Sequence, residues 1–257
     1  MELGLNGRTA LVTGASRGIG RSIAEVLSRE GMSLVLVARS EQLLSEVAAS
    51  LPGPAFVIPA DLRDSRVPAL AIQTAVETFG RLDLLVNNAG DTKRGDFLEL
   101  TDDDWDLGFS LKFRSAVRCA RSAWPHLKAT RGSIVNVIGI GGRTGSAEFT
   151  IGGAVNAALQ NLTKALADRG VQDGVRVNAV NPSSIATDRL VNRVRRISDE
   201  RGIEEAAAAN EIAQKLRVSR FGEPDEVARV VAFLASDAAG YCNGSIVDVD
   251  GGQTRTL

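Results

Sequence analysis

Short apolar runs alternate with longer amphipathic stretches along the chain. The runs are rich in Val, Ile and Leu and are bounded by turn-forming residues, which is typical of buried strands. About seven strands are predicted, at residues 8–14, 33–39, 55–61, 82–90, 132–138, 174–180 and 244–250. Because the runs are apolar almost throughout, we expect both faces of the sheet to be covered.

The stretches between the strands repeat apolar residues at helical spacing. Helices are predicted at residues 18–31, 41–50, 65–79, 103–128, 150–169 and 223–236, with one or two more within 188–216. Strands that alternate with helices form a parallel sheet with helices on both sides. The pattern therefore predicts an α/β protein with a doubly wound sheet, whose ligands bind at the carboxyl ends of the strands.

Length and composition favour one large domain over two small ones. The chain has 257 residues, 44% of them apolar, and shows neither an internal repeat nor a low-complexity linker. We expect residues 1–257 to form a single domain, in which the charged, Ala-rich segment 188–216 is a helical lid over the substrate. The net charge of −1 gives no general attraction to nucleic acid or to anionic membranes.

The cysteine content and the amino-terminal pattern indicate a cytoplasmic protein. The first predicted strand begins by Arg8, so we expect no signal peptide. Cys119 and Cys242 are the only cysteines, and we interpret them as free thiols in a reducing compartment. The sequence has no cluster of Cys and His residues, so we predict no metal site.

The segment TGASRGIG, residues 13–20, joins the first predicted strand to the first predicted helix. Its glycines allow a tight turn and a close approach of the backbone to a pyrophosphate, which then faces the helix N-terminus. The alternative is a purely structural turn. The predicted cofactor contacts in this loop are Gly14, Ser16, Arg17, Gly18, Ile19 and Gly20.

The end of the second predicted strand favours NADP(H) over NAD(H). An NAD site usually places an acidic residue there, to bind the ribose 2′-hydroxyl. This chain has Arg39 followed by Ser40, and Arg17 lies in the glycine loop. Guanidinium groups make charge-assisted hydrogen bonds to a 2′-phosphate. The alternative is that Arg39 is a solvated surface arginine.

Several motifs in order resemble the short-chain dehydrogenase/reductase family, most nearly the bacterial 3-oxoacyl-acyl-carrier-protein reductases. They are TGASRGIG, ADL at 60–62, NNAG at 87–90, GSIVNVI at 132–138, NPSSIAT at 181–187 and VDGGQ at 249–253. The resemblance covers essentially the whole chain and implies a Rossmann fold. It also implies a homotetramer or homodimer, which packs through helices near 103–128 and 150–169.

The resemblance places further cofactor contacts at the ends of later strands. Asp61 and Leu62 are expected to flank the adenine, and Ile185 and Thr187 to hold the nicotinamide carboxamide. The contacts expected beside the adenosine ribose are Asn88, Ala89 and Gly90. The family usually has Pro-Gly where this chain has Pro182-Ser183, so the nicotinamide loop is expected to differ.

The four catalytic residues of the family are absent. By resemblance, a tyrosine is the general acid–base, a lysine lowers its pKa, a serine polarises the substrate oxygen, and an asparagine supports a water-linked proton path. The corresponding positions hold Gly152, Asn156, Gly139 and Ser110. Tyr241 is the only tyrosine and lies near the last strand, so a shift of register does not restore the motif.

Loss of a positioned proton donor typically lowers a rate by ~10²–10⁴. We therefore expect slow reduction of ordinary carbonyl substrates, unless another group has taken over. Candidates are Ser110, Glu148 and Asn156, with Glu148 as a general base. The substrate-side segments also carry Asp91, Lys93, Arg94 and Arg143, where Lys93 or Arg143 could bind an acidic group. A solvated charged loop is the alternative for each of them.

Three functions stay open at this point. The first is an NADP(H)-dependent oxidoreductase that interconverts a carbonyl and an alcohol of a small-molecule substrate, through a non-standard proton-transfer site. The second is a catalytically inactive nucleotide-binding homologue, which acts as a sensor or as the partner of an active subunit. The third is a non-redox lyase or isomerase. The intact cofactor motifs favour the first, and the missing residues favour the second.

Overall fold

A seven-stranded parallel sheet forms the centre of the protein, in the order β3-β2-β1-β4-β5-β6-β7. We describe residues 2–255 of the computed structural model. The strands are β1 Thr9–Thr13, β2 Ser33–Ala38, β3 Ala55–Pro59, β4 Leu84–Asn87, β5 Ser133–Val137, β6 Arg176–Pro182 and β7 Ile246–Val249. The predicted doubly wound α/β fold is confirmed.

Helices cover both faces of this sheet. They are α1 Gly18–Arg29, α2 Glu41–Ser50, α3 Val67–Phe79, α4 Asp102–Gly108, α5 Ser115–Thr130, α6 Thr150–Asp173, α7 Asp188–Arg201, α8 Glu205–Leu216 and α9 Pro224–Ala235. Within β1, Val12 packs into a core with α1, α2 and α9, whereas Leu11 packs into a second core with α3, α5 and α6. Alternate residues of a strand point to opposite faces, so an all-apolar strand supplies both cores.

The direction in which the strands are added reverses at β1. From β1 the sheet grows one way through β2 and β3, and the other way through β4 to β7. The carboxyl ends of β1 and β4 therefore lie side by side without a helix above them, at the point where such sheets bind ligands.

Two of the predicted helices differ from the structure by more than small shifts of their ends. The helix predicted over 103–128 contains a π-helical segment, Phe109–Arg114, between α4 and α5. Helix α6 continues past residue 169 to Asp173 and ends at Gly174. The segment 188–216, predicted as one or two helices, forms two, and Gly202 ends the first of them. Within residues 2–255, no helix is both long and apolar enough to cross a membrane.

Helices α7 and α8 pack mainly on each other. They bury a small apolar cluster of Val194, Ala208 and Ile212, which is separate from the cores beside the sheet. The ion pair Arg201–Glu211 joins the two helices, and the pair Arg189–Asp91 links α7 to the loop after β4. A unit with so little buried apolar surface should open at a lower free-energy cost than the sheet does.

We therefore expect the amides of residues 188–216 to exchange hydrogen for deuterium much faster than those of β1. Addition of NADPH should slow this exchange, because the helices follow the loop expected to hold nicotinamide. Mass-spectrometric hydrogen exchange, with α1 as an internal reference for a protected helix, measures both effects. Protection of α7 and α8 to the level of α1 in the apo protein would contradict the lid.

Candidate active site

The glycine-rich loop places free backbone donors at the carboxyl end of β1. The first hydrogen bond of α1 runs from the N–H of Arg21 to the carbonyl of Arg17, so the N–H groups of residues 18–20 lack helical acceptors. Gly20 packs so tightly that an added Cβ would lie 2.2 Å from the Gly14 oxygen. A loop that packs in this way, with its donors outward, fits a pyrophosphate.

Asn88 and Ala89 bind the glycine loop to the end of β4. The amide of Asn88 donates to the carbonyls of Thr13, at 3.0 Å, and Gly14, at 3.2 Å. The backbone N–H groups of Asn88 and Ala89 both donate to the Thr13 hydroxyl, at 2.9 Å and 3.0 Å. Asn88 and Ala89 therefore fix the shape of the cofactor edge, by which we mean the carboxyl ends of β1, β4 and their neighbours, since these donors are used within the protein.

The nucleotide side of the edge carries two exposed arginines, Arg17 and Arg39. Neither forms a salt bridge within residues 2–255, which leaves both guanidinium groups available to a phosphate. The hydroxyl of Ser40 accepts the N–H of Leu43, at 3.3 Å, and thereby caps α2. Ser40 is therefore held in place by the helix that it begins.

Asp61 and Leu62, the two residues predicted to flank the adenine, differ in how accessible their side chains are. The carboxylate of Asp61 accepts hydrogen bonds from the side chain of Arg63, and these lower the pKa of Asp61. Leu62 is only 3% exposed and packs in the core beside α3. The Leu62 side chain therefore belongs to the core, and only its backbone is available to a nucleotide.

The loop after β6 closes against the glycine loop. A Cβ added to Gly18 would lie 3.2 Å from the methyl group of Thr187. Ile185 is buried and pairs with Gly222. The hydroxyl of Ser183, where the family usually has glycine, donates to the carbonyl of Asp250 at 3.2 Å. This hydrogen bond links the loop to the carboxyl-terminal segment.

A lysine that the sequence analysis did not single out lies at the centre of the edge. The Nζ of Lys112 donates hydrogen bonds to the Oδ1 of Asn156, at 2.7 Å, and to the carbonyl of Ile138. Its aliphatic stem crosses Gly90, where an added Cβ would lie 2.7 Å from the Lys112 Cδ. Lys112 therefore contacts the loop after β4, the end of β5 and helix α6.

A local widening of the helix brings Lys112 to this position. In the π-helical segment, the N–H of Ser115 donates to the carbonyl of Ser110, five residues earlier. Such segments are rare and are frequent at functional sites. Burial lowers the pKa of Lys112 to about 7, and the positive charge of Arg189 contributes. The available sequence signal was its place two residues after Ser110, the residue predicted at the family's asparagine position.

The space in front of Gly152 is filled by an aromatic ring. A Cβ added to Gly152 would lie 2.1 Å from ring atoms of Phe149. The guanidinium of Arg94 lies over the same ring, 4.0 Å from its centroid. Desolvation by surrounding atoms lowers the pKa of Arg94, and the positive charges of Arg193 and Arg189 lower it further.

Gly139, the residue predicted at the family's serine position, has an unusual backbone conformation. Gly139 has φ of 129° and ψ of 147°, a conformation that is essentially restricted to glycine. Its N–H donates to the Oδ1 of Asn181, whose amide donates in turn to Asp248, at 3.0 Å. Asp248 also accepts a hydrogen bond from Arg143, at 2.8 Å. Arg143, a predicted anion-binding residue, is thus paired with a carboxylate.

The other predicted polar residues lie around this centre. Glu148 is exposed, and Ser110 is half-buried in the π-helical segment. Lys93 pairs with Asp104 at 2.8 Å, and Asp91 pairs with Arg189 at 3.0 Å. Of the three catalytic candidates, Asn156 alone is in hydrogen-bond contact with Lys112.

The remaining features concern the sole tyrosine and metal binding. Tyr241 is fully exposed and precedes β7, at the edge of the sheet opposite the cofactor loops. Within residues 2–255, no group of three or more His, Cys, Asp or Glu side chains is arranged to hold a metal ion.

The glycine loop, the Asn88 tether and the Thr187 loop together define a dinucleotide-binding oxidoreductase site. A family model described as enoyl-(acyl carrier protein) reductase matches residues 14–254. The chain belongs to the short-chain dehydrogenase/reductase family. By resemblance, the members of that family are oxidoreductases that use a nicotinamide cofactor.

Relatives cover almost the whole chain. Meso-2,3-butanediol dehydrogenase of Serratia marcescens is 36% identical over 253 residues, which are 97% of this chain and 95% of that protein. A 3-oxoacyl-acyl-carrier-protein reductase of Staphylococcus aureus is 34% identical over 255 residues, 96% of this chain and 98% of its own. L-Sorbose reductase from Gluconobacter frateurii, solved with NADPH and L-sorbose, has a TM-score of 0.96 and 32% identity, with both chains fully covered.

Proposed function

We propose that this protein is an NADP(H)-dependent oxidoreductase that interconverts a ketone and a secondary alcohol of a small molecule. The observation that carries the proposal is the complete cofactor edge, in which free donors of α1 face the loop of Ile185 and Thr187. When bound, the nicotinamide ring supplies or accepts the hydride. Proton transfer occurs at a non-standard site, because Gly139 and Gly152 have no side chains to perform it.

NADP(H) is proposed over NAD(H) because of the charges at the nucleotide end. Arg39 stands where an NAD site has an acid, and Arg17 adds a second positive charge in the glycine loop. Both guanidinium groups are exposed and free of salt bridges among the described residues, so a 2′-phosphate is the ligand that suits them. The L-sorbose reductase relative was solved with NADPH.

The charges at the substrate end favour a substrate with an acidic group. Desolvation lowers the pKa of Arg94, and the positive charges of Arg193 and Arg189 lower it further, so both of these arginines lie near Arg94. Asp91 compensates Arg189 in part. A carboxylate or phosphate on the substrate would be attracted to this excess of positive charge. Ser110, Glu148 and Asn156 are the residues proposed to orient the reacting oxygen or to assist proton transfer.

The experiment is an assay of NADPH oxidation with L-sorbose, 3-oxoacyl thioesters and 2-oxo acids, and of NADP⁺ reduction with meso-2,3-butanediol. We expect turnover that needs both protein and substrate, at a rate below the usual ~1–10³ s⁻¹. An acidic substrate should have the highest kcat/KM. Absence of turnover with the whole panel would refute the oxidoreductase proposal.

The second candidate function is a catalytically inactive nucleotide-binding protein. Two observations favour an inactive protein. The Phe149 ring fills the space at Gly152, and Gly139 has a backbone conformation that favours glycine, so neither position suits the side chain that the family's mechanism needs. Calorimetry of NADPH binding, combined with the turnover assay, separates the two functions. Tight NADPH binding without turnover on the panel supports the inactive protein, whereas binding with turnover supports the enzyme.

We also propose that the protein is a homotetramer or homodimer. Helix α6 presents Ala157 to solvent and Ala154 and Ala158 half-buried, and small residues of this kind allow a second helix to approach closely. Leu107 of α4 is 49% exposed. Light scattering at micromolar concentration should give a mass two or four times 27.1 kDa. A mass of one chain would refute the assembly.

A further inference from the structure

Three polar groups meet where the family's catalytic residues would stand. Asn156 occupies the lysine position, and Ile138 directly precedes the serine position at Gly139. The Nζ of Lys112 binds the side chain of Asn156 and the backbone carbonyl of Ile138. An amino group therefore reaches the site from the π-helical segment between α4 and α5, whereas the position of α6 at which the family's lysine is expected holds Asn156.

We propose that Lys112 is the general acid–base of this site. It protonates the substrate oxygen during reduction and removes the proton during alcohol oxidation. This inference rests on the proposed oxidoreductase function and names the group that replaces the absent tyrosine.

The step balances without a further reactant. In reduction, the hydride from NADPH forms the new C–H bond, and the carbonyl π electrons move to oxygen. That oxygen takes a proton as one N–H bond of the Lys112 ammonium breaks. The products are the alcohol, NADP⁺ and a neutral amine, and the amine then regains a proton from water.

The geometry leaves a proton for this step. An ammonium group has three N–H donors, and the two acceptors at Asn156 and Ile138 use two of them. Within residues 2–255 the ammonium has no third acceptor, so the third N–H is available to a substrate placed over Gly90. The same two acceptors fix the position of the Nζ, as a catalytic group requires.

The charges around Lys112 allow both protonation states near neutrality. Burial lowers its pKa to about 7, and Arg189 from α7 is the charged group that adds to this shift. Asp91, in the loop after β4, pairs with Arg189 and partly offsets that charge. The partners from β5 and α6, the Ile138 carbonyl and the Asn156 amide, do not titrate.

A first test measures Lys112 directly in the apo protein. The sequence has five lysines, Lys93, Lys112, Lys128, Lys164 and Lys215, so lysine-selective carbon-13 labelling gives a simple NMR spectrum. The signal that disappears in Lys112→Met belongs to Lys112. Its Cε shift should titrate near neutral pH. Titration of Lys112 near 10, the ordinary value for a lysine, would overturn the proposal, whatever the activity.

A second test uses kinetics with a substrate from the panel described above. Lys112→Met should lower kcat by about 10²–10⁴-fold, with little change in the dissociation constant for NADPH measured by calorimetry. Lys112→Arg keeps the positive charge but cannot lose a proton near neutrality, so it should also be slow. Lys164→Met, which changes an exposed lysine of α6, should match the wild type. Circular dichroism checks that each variant is folded.

The pH profile separates proton transfer from a structural role. Reduction needs the charged form of Lys112, so the wild-type kcat should fall as pH rises through the pKa of this group. That fall should be absent in Lys112→Arg. Wild-type kcat in Lys112→Met overturns this inference and leaves the oxidoreductase proposal standing. A wild-type protein without turnover on the whole panel overturns both.

Discussion

Gly152→Tyr is expected to destabilise the protein by about 1–3 kcal/mol and to create no reductase activity. The family's tyrosine cannot be restored by this change alone, because Phe149 already occupies the space. An added Cβ at Gly152 would lie 2.1 Å from the Phe149 ring, so either the ring or helix α6 must move. Thermal unfolding followed by circular dichroism should show a fall in Tm of roughly 2–4 °C for each kcal/mol lost.

A double-mutant cycle with Phe149→Ala tests the cause. If the ring is the obstacle, Gly152→Tyr should cost less stability in the Phe149→Ala background than in the wild type. Gly145→Ala is the matched control, because nothing lies within 4 Å of a Cβ added there. A Gly152→Tyr variant that unfolds at the wild-type temperature would show that the site adapts to the ring.

Full restoration of the family's residues faces two further obstacles. Serine at Gly139 would need a backbone conformation that non-glycine residues avoid, at a cost of about 1–3 kcal/mol. Lysine at Asn156 would place a second ammonium beside Lys112 and remove the acceptor that Lys112 uses. The triple variant Gly139→Ser, Gly152→Tyr, Asn156→Lys should therefore be poorly folded. An active, stable triple variant would refute this account.

Arg39→Asp is expected to shift cofactor preference from NADPH toward NADH by about tenfold to a hundredfold. A hydrogen bond to a charged group contributes about 1.5–3 kcal/mol, and each 1.4 kcal/mol is a factor of ten in affinity. The aspartate would repel the 2′-phosphate of NADPH and accept a hydrogen bond from the 2′-hydroxyl of NADH. Calorimetric dissociation constants for both nucleotides measure the ratio.

Arg169→Ala is the control for a general effect of charge. Arg169 lies near the end of α6, at the opposite edge of the sheet, and pairs with Asp173. Its removal should leave the ratio of the two dissociation constants unchanged. Equal affinities in the wild type, or tighter binding of NADH, would refute the NADP(H) preference. An unchanged ratio in Arg39→Asp would show that Arg39 is only a solvated surface residue.

The sequence by itself determined the sheet and the cofactor loop, and it predicts that the family's catalytic positions are vacant. Each of these depends on neighbouring residues, since apolar runs specify strands and the glycine loop begins the helix that follows it. The sole tyrosine, at residue 241, was enough to exclude the family's usual proton donor. The predicted strands accordingly overlap all those observed, and the predicted helix ends differ by a few residues.

Only the tertiary structure decided which side chains lie around the positions predicted to lack the family's catalytic residues. Lys112 and Asn156 are 44 residues apart in the sequence. The π-helical segment that brings them together could not be predicted from the spacing of apolar residues. The ring of Phe149 occupies the space at Gly152, and Arg143 forms an ion pair with Asp248, which is 105 residues away in the sequence. Burial, ion pairing and the pKa of a lysine depend on which distant groups surround a side chain, and that is set by packing rather than by local pattern.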